Sequence, residues 1–409
     1  MSLYGRDFLR QAHNLLRVVG DNDEKDDDMV DVQFQEHGYL FLASTMAGRD
    51  QLLHNNQVQQ STGCTDIHLM ESTELKDAFP WLNTTDILLG SFGNRGEGWF
   101  DPWALILGLK RKCQSMGVNF VKGTPVGSER EEQCRRVISV DVLLEESQNV
   151  VRYHVNNIVN TAGAHCNGVM KILAGGGSRL LHHLPVEPRK RCLFFIHCNT
   201  QQQEHVVPKV APLTICPING VYFRSEGLIR SDGVPTGNFL CGVSPSRDVD
   251  RAIEDIAELE YVDHELWDTV IWPALAHRVP AFGEVKVKSS WAGLYECTLY
   301  AILFCVIDLL LLVHRMIHFV SYINHLLDRR VRIKDNTIDQ NAIIGFHPEM
   351  TNVVLANGFS GHGLQQSPAA GRAVAELLSC HGQFETLDLR VFSFDRIIEK
   401  RPLFEAGIV

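Results

Sequence analysis

Phe8, Leu9, Ala12, Leu15 and Leu16 recur at helical spacing, so the chain is expected to open on an amphipathic helix reaching about Val19. The first residues read as the interior of that helix, which leads us to expect a segment before it. His37 to Ser44 carries a strand pattern. A helix is expected from Ser72 to Phe79, ending before Pro80 and Trp81. Another runs from Trp103 to Met116, with Pro102 near its start and Gly117 at its C′ position, the ends where those residues are favoured. Val118 to Val121 reads as a short strand ended by Thr124-Pro125-Val126, and Val137 to Leu144 with Val150 to Val155 as a hairpin. Ile158 to Ala164 reads as a buried strand entering a small-residue turn and a helix.

From Pro185 the texture turns β-rich, with strands expected at Cys192 to His197, Val221 to Arg224, Phe239 to Val243 and Val285 to Ser290. A helical stretch is expected from about Asp248 to Trp272, and α/β texture returns after Asp335. The alternation of α/β and β-rich segments predicts a mixed α/β (α+β) chain of two interleaved domains. Cys297 to Lys334 breaks the pattern. Its apolar run, Leu299 to Val313, is interrupted by Asp308 and followed by the basic cluster Arg329 to Lys334. A membrane span needs about 20 apolar residues, so any membrane association is expected to be peripheral.

A chain of 409 residues is long enough for two domains with real cores. Its formal net charge is -11, and much of the excess sits in Asp21 to Asp28, read as a solvated loop. That balance argues against nucleic acid, whose phosphates call for a basic face. The 11 cysteines are scattered without a C-x-x-C, which fits reduced thiols better than a disulfide scaffold or zinc site. No metal site is expected.

The most informative stretch is Val353 to Leu378. A β-branched run meets a turn with Gly358, Gly361 and Gly363, and Ser367 and Pro368 are expected to open a helix. Strand, glycine turn and helix start bring bare N–H groups and a positive dipole end toward an anion or electron-rich ring.

Five motifs then carry a resemblance: P-W-L-N-T (Pro80 to Thr84), E-G-W-F-D-P-W (Glu97 to Trp103), L-P-V-E-P-R-K-R (Leu184 to Arg191), W-A-G-L-Y (Trp291 to Tyr295) and G-F-S-G-H-G-L-Q-Q-S-P (Gly358 to Pro368). With the Ile158 to Ala164 strand they resemble the D-amino-acid oxidase / sarcosine oxidase group of FAD-dependent oxidoreductases. The resemblance covers nearly the whole chain apart from Cys297 to Lys334. It is nearest to a mitochondrial member linked to assembly of respiratory complex I, which implies a mitochondrial location and complex I assembly intermediates as partners.

The resemblance implies an incomplete Rossmann-like FAD-binding domain and a β-rich substrate domain. Residues 1–28 would be a remnant helix of the FAD domain, 29–100 a substrate-domain segment and 101–184 an FAD-domain segment. Residues 185–296 would be the β-rich substrate domain, 297–334 an anomalous insert and 335–409 the last FAD-domain segment. It implies FAD as cofactor and hydride transfer from a small amine or amino-acid substrate. Val126, Ala162, Gly163, Gly358, Gly361, His362, Gly363, Leu364 and Gln365 would meet the cofactor. Tyr222, Arg224, Trp291 and Tyr295 would meet the substrate, Arg224 by pairing with a carboxylate.

The chain departs from the family in three places. It has no strand-borne G-x-G-x-x-G or following ribose acid, so the expected alternative is a flavoprotein fold used as a complex I assembly scaffold, unable to hold FAD. The insert splits a motif that should run from W-A-G-L-Y-E into Asp335 to Gly345, as a retained intron or mistaken gene model would. Gln365 stands where monomeric sarcosine oxidases carry a lysine that helps reduced flavin react with oxygen, so dehydrogenase-like rather than oxidase behaviour is expected.

Overall fold

The computed structural model describes residues 1–18, 30–131, 135–175, 180, 182–199, 205–227, 236–245, 250–253, 255–298 and 339–403. The acidic loop and nearly all of the 297–334 segment lie outside them. The chain divides into two compact units. The first comprises Met1–Val32, Asp101–Arg189 and Leu294–Glu405, the second Gln33–Phe100 and Lys190–Gly293. The architecture is mixed α/β with several sheets.

In the first unit, α1 (Ser2–Arg10) and α2 (Ala12–Leu15) replace the single expected helix. Leu9, Ala12 and Leu16 are buried as the periodicity requires, but Leu15 is exposed because the break at Gln11 turns it outward. Helix α5 (Pro102–Ser115) has the expected ends. Asp101 accepts from the Trp103 and Ala104 N–H groups, Pro102 takes the first helical position, and Gly117 follows the end with φ +87°.

Val118 to Val121 is not a strand here. It has β-forming residues but no ladder among the described residues, and Val118, Phe120 and Val121 are exposed. Instead β4 (Gly123–Glu131) follows and joins β5 (Arg136–Leu144) and β6 (Val150–His154) in a three-stranded antiparallel sheet.

A second sheet has the order β13 (Ile343–His347), β14 (Met350–Asn357), β7 (Ile158–Asn160). Strand β14 pairs parallel with β7, Val353 opposite Ile158 and Leu355 opposite Asn160. Helix α6 (Cys166–Leu173) packs Cys166, Met170 and Leu173 into a core with Val353, Leu355 and Phe394. Asn352 ties the sheets together, donating to the Val137 and Asn156 carbonyls and accepting from the Val137 N–H.

The second unit is built on an eight-stranded sheet, and its strands are β1 (Tyr39–Ala43), β2 (Ile67–Met70), β3 (Leu89–Gly93), β8 (Val186–His197), β9 (Leu213–Ile215), β10 (Val221–Ser225), β11 (Asn238–Val243) and β12 (Lys286–Thr298). Their order across the sheet is β12-β8-β11-β10-β9-β1-β3-β2. Helices α3 (Met46–Ser61) and α4 (Ser72–Ala78) join β1 to β2 and β2 to β3. The expected 248–272 helix is instead a broken series. A 3-10 turn (Ile256–Glu260) capped by Asp255, α7 (His264–Leu266) capped by Asp263, a π segment (Trp267–Ile271) and α8 (Trp272–Arg278) follow one another. Each aspartate satisfies the N–H groups of a fresh start, which breaks one helix into pieces.

Alternation along the strands places Leu40, Leu42, Phe194, Ile196, Phe223, Phe239 and Cys241 on one face, in a core with Leu75, Leu275 and Phe282. Phe223 meets Trp81 and Phe282 edge to face.

Candidate functional site

Candidate site residues occur in both units. In the first unit, β14 ends at Asn357 and leads through the glycine turn into α9 (Gly363–Ser379). Gly358, Ser360 and Gly361 have φ of +73°, +46° and +87°, so two of the three turn residues need glycine's freedom. The helix starts at Gly363, not at Ser367. Pro368 lies inside it, where it removes the N–H that Leu364 O would accept; Ser367 Oγ donates to that carbonyl at 2.9 Å instead. The Ser-Pro pair that looks like a helix start is therefore an internal repair. Residues 362–365 gain an extra helical turn at the mouth of the strand.

Among the described residues no side chain caps α9. The first intrahelical bond runs from Gln366 N–H to His362 O at 3.0 Å, so Gly363, Leu364 and Gln365 present N–H groups with no acceptor among the described residues. Beside them, β7 runs into Ala162 and Gly163. With its amide oriented to satisfy both ends, buried Asn357 donates to Asn160 O at 2.9 Å and accepts from Gly163 N–H at 3.3 Å. Ala162 N–H donates to Asn160 Oδ1 at 3.1 Å. Both N–H groups are thus turned inward, and these residues offer close approach rather than donors. Val126 is skipped in the β4–β5 register, where Pro125 faces Val142 and Gly127 faces Asp141. A bulged residue of this kind has main-chain groups outside the ladder. Uncapped helix start, inward-pinned turn and bulged strand leave N–H donors and main-chain groups open to an anionic or electron-rich ligand, while the sequence carries no G-x-G-x-x-G turn for a dinucleotide's pyrophosphate.

In the second unit, Tyr222, Ile215, Phe41 and Ser91 lie in register across β10, β9, β1 and β3. They face away from the core, and Arg224 and Gly93, each two residues on, share their face. On β12, Ala292 packs against the core, so Trp291 points to this opposite face as well. Tyr222, Arg224 and Trp291 are therefore brought to one side of the sheet in this unit; Tyr295, buried further along β12, falls in the first unit. Tyr222 lies down over Gly242, where a Cβ would stand 2.5 Å from its hydroxyl oxygen. Burial pushes that phenol far above its usual range. Trp291 Nε1 is buried without a hydrogen-bond partner among the described residues.

Sequence reasoning missed the setting of Arg224. Its guanidinium sits 5.2 Å from the ring centroid of Trp99 and bonds to Ser225 O at 3.0 Å and to the Glu226 carboxylate. Trp99 Nε1 donates to His37 Nδ1 at 3.2 Å. Burial and then the Arg224 charge lower the His37 pKa, so its ring stays neutral and able to accept that bond. Glu97, two residues before Trp99, is half-buried and raised to about 7 by burial. The signal was present in Glu97-Gly98-Trp99, but only the paired strands show what the glycine makes room for.

The raised carboxyl has a measurable consequence. Glu97 keeps its proton in the folded state up to about 7, whereas its ordinary value is 4.5. Between those values the folded protein holds a proton that the unfolded chain has lost, so stability is expected to fall as pH rises through that window and then level. Urea unfolding from pH 4 to 8 checks this, and Glu97→Gln is expected to remove that part of the slope.

The fold and these features define a class. The family model described as FAD dependent oxidoreductase matches residues 7–377, and the chain belongs to that family. FAD-dependent oxidoreductase domain-containing protein 1 of Xenopus laevis is 36% identical over 428 residues, covering 100% of this chain and 72% of that protein. Among solved structures, L-proline dehydrogenase from P. horikoshii superposes with TM-score 0.64 at 16% identity, covering 98% of this chain and 96% of its own. Glycine oxidase from Geobacillus kaustophilus superposes with TM-score 0.63 at 17% identity, covering 96% and 81%. Among the described residues no cluster of His, Cys, Asp or Glu could hold a metal ion, and no helix is long and apolar enough to cross a membrane.

Proposed function

We propose that this chain is an FAD-dependent oxidoreductase that removes hydride from the carbon beside the nitrogen of a small amine or amino acid. The observation that carries the reading is the opening of α9, a 17-residue helix that presents three uncapped N–H groups at the end of a glycine turn. Bound FAD supplies the hydride acceptor. The chain's own groups do the rest. The N–H groups of Gly363, Leu364 and Gln365 and the helix dipole stabilise negative charge developing against them. Gly358, Gly361 and His362 shape the turn, Ala162 and Gly163 admit a close main-chain approach, and Val126 offers main-chain groups to adenine. Arg224 takes a substrate carboxylate from its seat on Trp99. Tyr222 walls the substrate side of the sheet, and the Trp291 indole N–H is a donor awaiting an acceptor; Tyr295 is a further candidate for substrate contact.

The names of the structural neighbours, a proline dehydrogenase and a glycine oxidase, support an amine-type substrate. Gln365 brings a neutral amide to the helix opening, so we expect slow reaction with oxygen and a separate electron acceptor. The test is anaerobic addition of sarcosine, proline and glycine to the full chain loaded with FAD. Loss of flavin absorbance with one of them is expected. No loss with any would remove the reading and favour a second, which the neutral Gln365 also suits: a mitochondrial scaffold for respiratory complex I assembly. Peroxide formation as fast as substrate oxidation would refute the dehydrogenase character.

A further inference from the structure

Glu97-Gly98-Trp99 is a motif to which that function gives only a supporting part, yet its geometry is closely built. Gly93 on β3 has no side chain, and the Glu97 carboxylate fills the vacancy: a Cβ on Gly93 would stand 1.9 Å from Oε2. Because Gly93 shares a face with Arg224, the carboxyl lies on the substrate side of the sheet and not in the core. Gly98 is needed as well, since a Cβ there would stand 1.8 Å from the Gln35 carbonyl oxygen and 3.0 Å from Glu36 Cα. The main chain is pinned on both sides of Gly98. Gln35 and Trp99 exchange hydrogen bonds of 2.8 and 3.0 Å, and Gly38 N–H donates to Glu97 O at 3.0 Å. Trp99 then carries the Arg224 guanidinium on its ring. One short segment thus sets a carboxyl and a supported cation on the same face.

We propose that Glu97 is the proton acceptor of this site, taking the ammonium proton from a cationic amine so that its nitrogen holds a lone pair when the neighbouring C–H is oxidised. The step balances. The N–H bond of the ammonium breaks, its electron pair stays on nitrogen, and an O–H bond forms on Glu97, cancelling one positive and one negative charge. The inference rests on the amine-oxidoreductase reading above.

Charged and titratable groups near this segment include Arg95, Glu36, which accepts from the Gly96 N–H at 2.6 Å, His37, which accepts from Trp99, Tyr39, paired with Gly93 across β1 and β3, and Arg224 over the Trp99 ring. None of their charges is what raises Glu97; burial does, to about 7. A carboxylate titrating there is a stronger base than an ordinary one and is still ionised in good part at neutral pH. His37 already uses Nδ1 to accept from Trp99. It supports the indole and leaves the proton to Glu97.

The test is calorimetric binding of sarcosine, proline and dimethylamine to the full chain between pH 6 and pH 8. All three are cations at nitrogen throughout that range. As Glu97 ionises, the association constant of at least one is expected to rise about tenfold across it. Glu97→Gln is expected to bind it weakly at both ends with no such rise. Gly93→Ala, which pushes the flexible carboxyl toward water, is expected to move the midpoint below 7 without removing the rise. A pH-independent affinity, a rise that persists in Glu97→Gln, or no binding of any of the three overturns the proposal. Flavin reduction without this pH dependence leaves the oxidoreductase reading standing and removes Glu97 from it. PH-dependent binding without flavin reduction does the reverse.

Discussion

Replacing Arg396 by Met is expected to destabilise the first unit by about 3–5 kcal/mol, the cost of leaving a buried charge unpaired. Arg396 and Asp339 are each 3% exposed and form a two-point pair at 2.8 and 2.9 Å. The pair is embedded in main chain. Asp339 accepts from the Asn341 and Leu403 N–H groups at 3.1 and 2.8 Å. Arg396 donates to the Phe392 and Asn341 carbonyls at 3.0 and 2.9 Å. It therefore ties the entry to β13 to the last described residues of the chain.

Two competing effects set the sign. Desolvation of both ions opposes the folded state, but once one partner is gone the other bears that cost alone. Asp339→Leu with Arg396→Met is accordingly expected to recover part of the loss of the single variant, the rest being held back by the orphaned main-chain groups. Hydrogen exchange of β13 and β14 amides is the measurement, with β10 and β11 amides as the internal reference. Protection in β13 and β14 should drop by about two to three and a half orders of magnitude, at roughly 1.4 kcal/mol per tenfold. A drop below threefold would show the pair to be peripheral to the unit's stability.

Gly5→Ala is the second large effect, and its sign is the opposite of what helix propensity alone gives. Alanine in place of glycine inside a helix is ordinarily favourable by about 1 kcal/mol. At Gly5 of α1, however, the added Cβ would stand 1.9 Å from the backbone carbonyl oxygen of Gln365. That atom belongs to the first turn of α9 and cannot swing aside as a side chain would. Overpacking of this kind costs about 1–3 kcal/mol, occasionally more, so the clash wins and a net loss approaching 2 kcal/mol is expected.

The control lies in the helix that Gly5 touches. A Cβ at Gly371 in α9 would meet nothing within 4 Å. Gly371→Ala should therefore stabilise by about 1 kcal/mol. Thermal unfolding of the two variants is expected to move in opposite directions. FAD affinity should fall only in Gly5→Ala, because only there does α1 push on the turn that carries the N–H groups of residues 363–365. Equal shifts in both variants would mean that the approach of α1 to α9 is not tight.

The sequence made legible those elements whose determinants are local. Helix α5 announced both ends through Asp101-Pro102 and Gly117, and the β5–β6 hairpin and the strand of β14 followed from their own residues. Tyr222 and Arg224 were readable as strand neighbours two apart, hence on one face. Features set by a distant partner were not legible. Ser367-Pro368 looked like a helix start because the repair of Leu364 O depends on a turn already formed ahead of it. Val118 to Val121 had strand-forming residues but required a partner that no local signal supplies. The seat of Arg224 on Trp99, and of Glu97 over Gly93, required the register of β10, β9, β1 and β3. No window of sequence contains that.

The same non-local bonding imposes an order on synthesis. Asn352 Nδ2 donates to the Asn156 carbonyl at 2.9 Å across 196 residues of chain. At about 5–20 residues per second, β7 leaves the ribosome roughly 10–40 seconds before β14 exists to pair with it. The hairpins of β4–β6 and of β10–β11 can close during that interval. The sheet holding the glycine turn cannot, so β7 must wait without β14 until the 196 residues between Asn156 and Asn352 have been made. A chaperone that shields extended apolar segments would find its longest opportunity there.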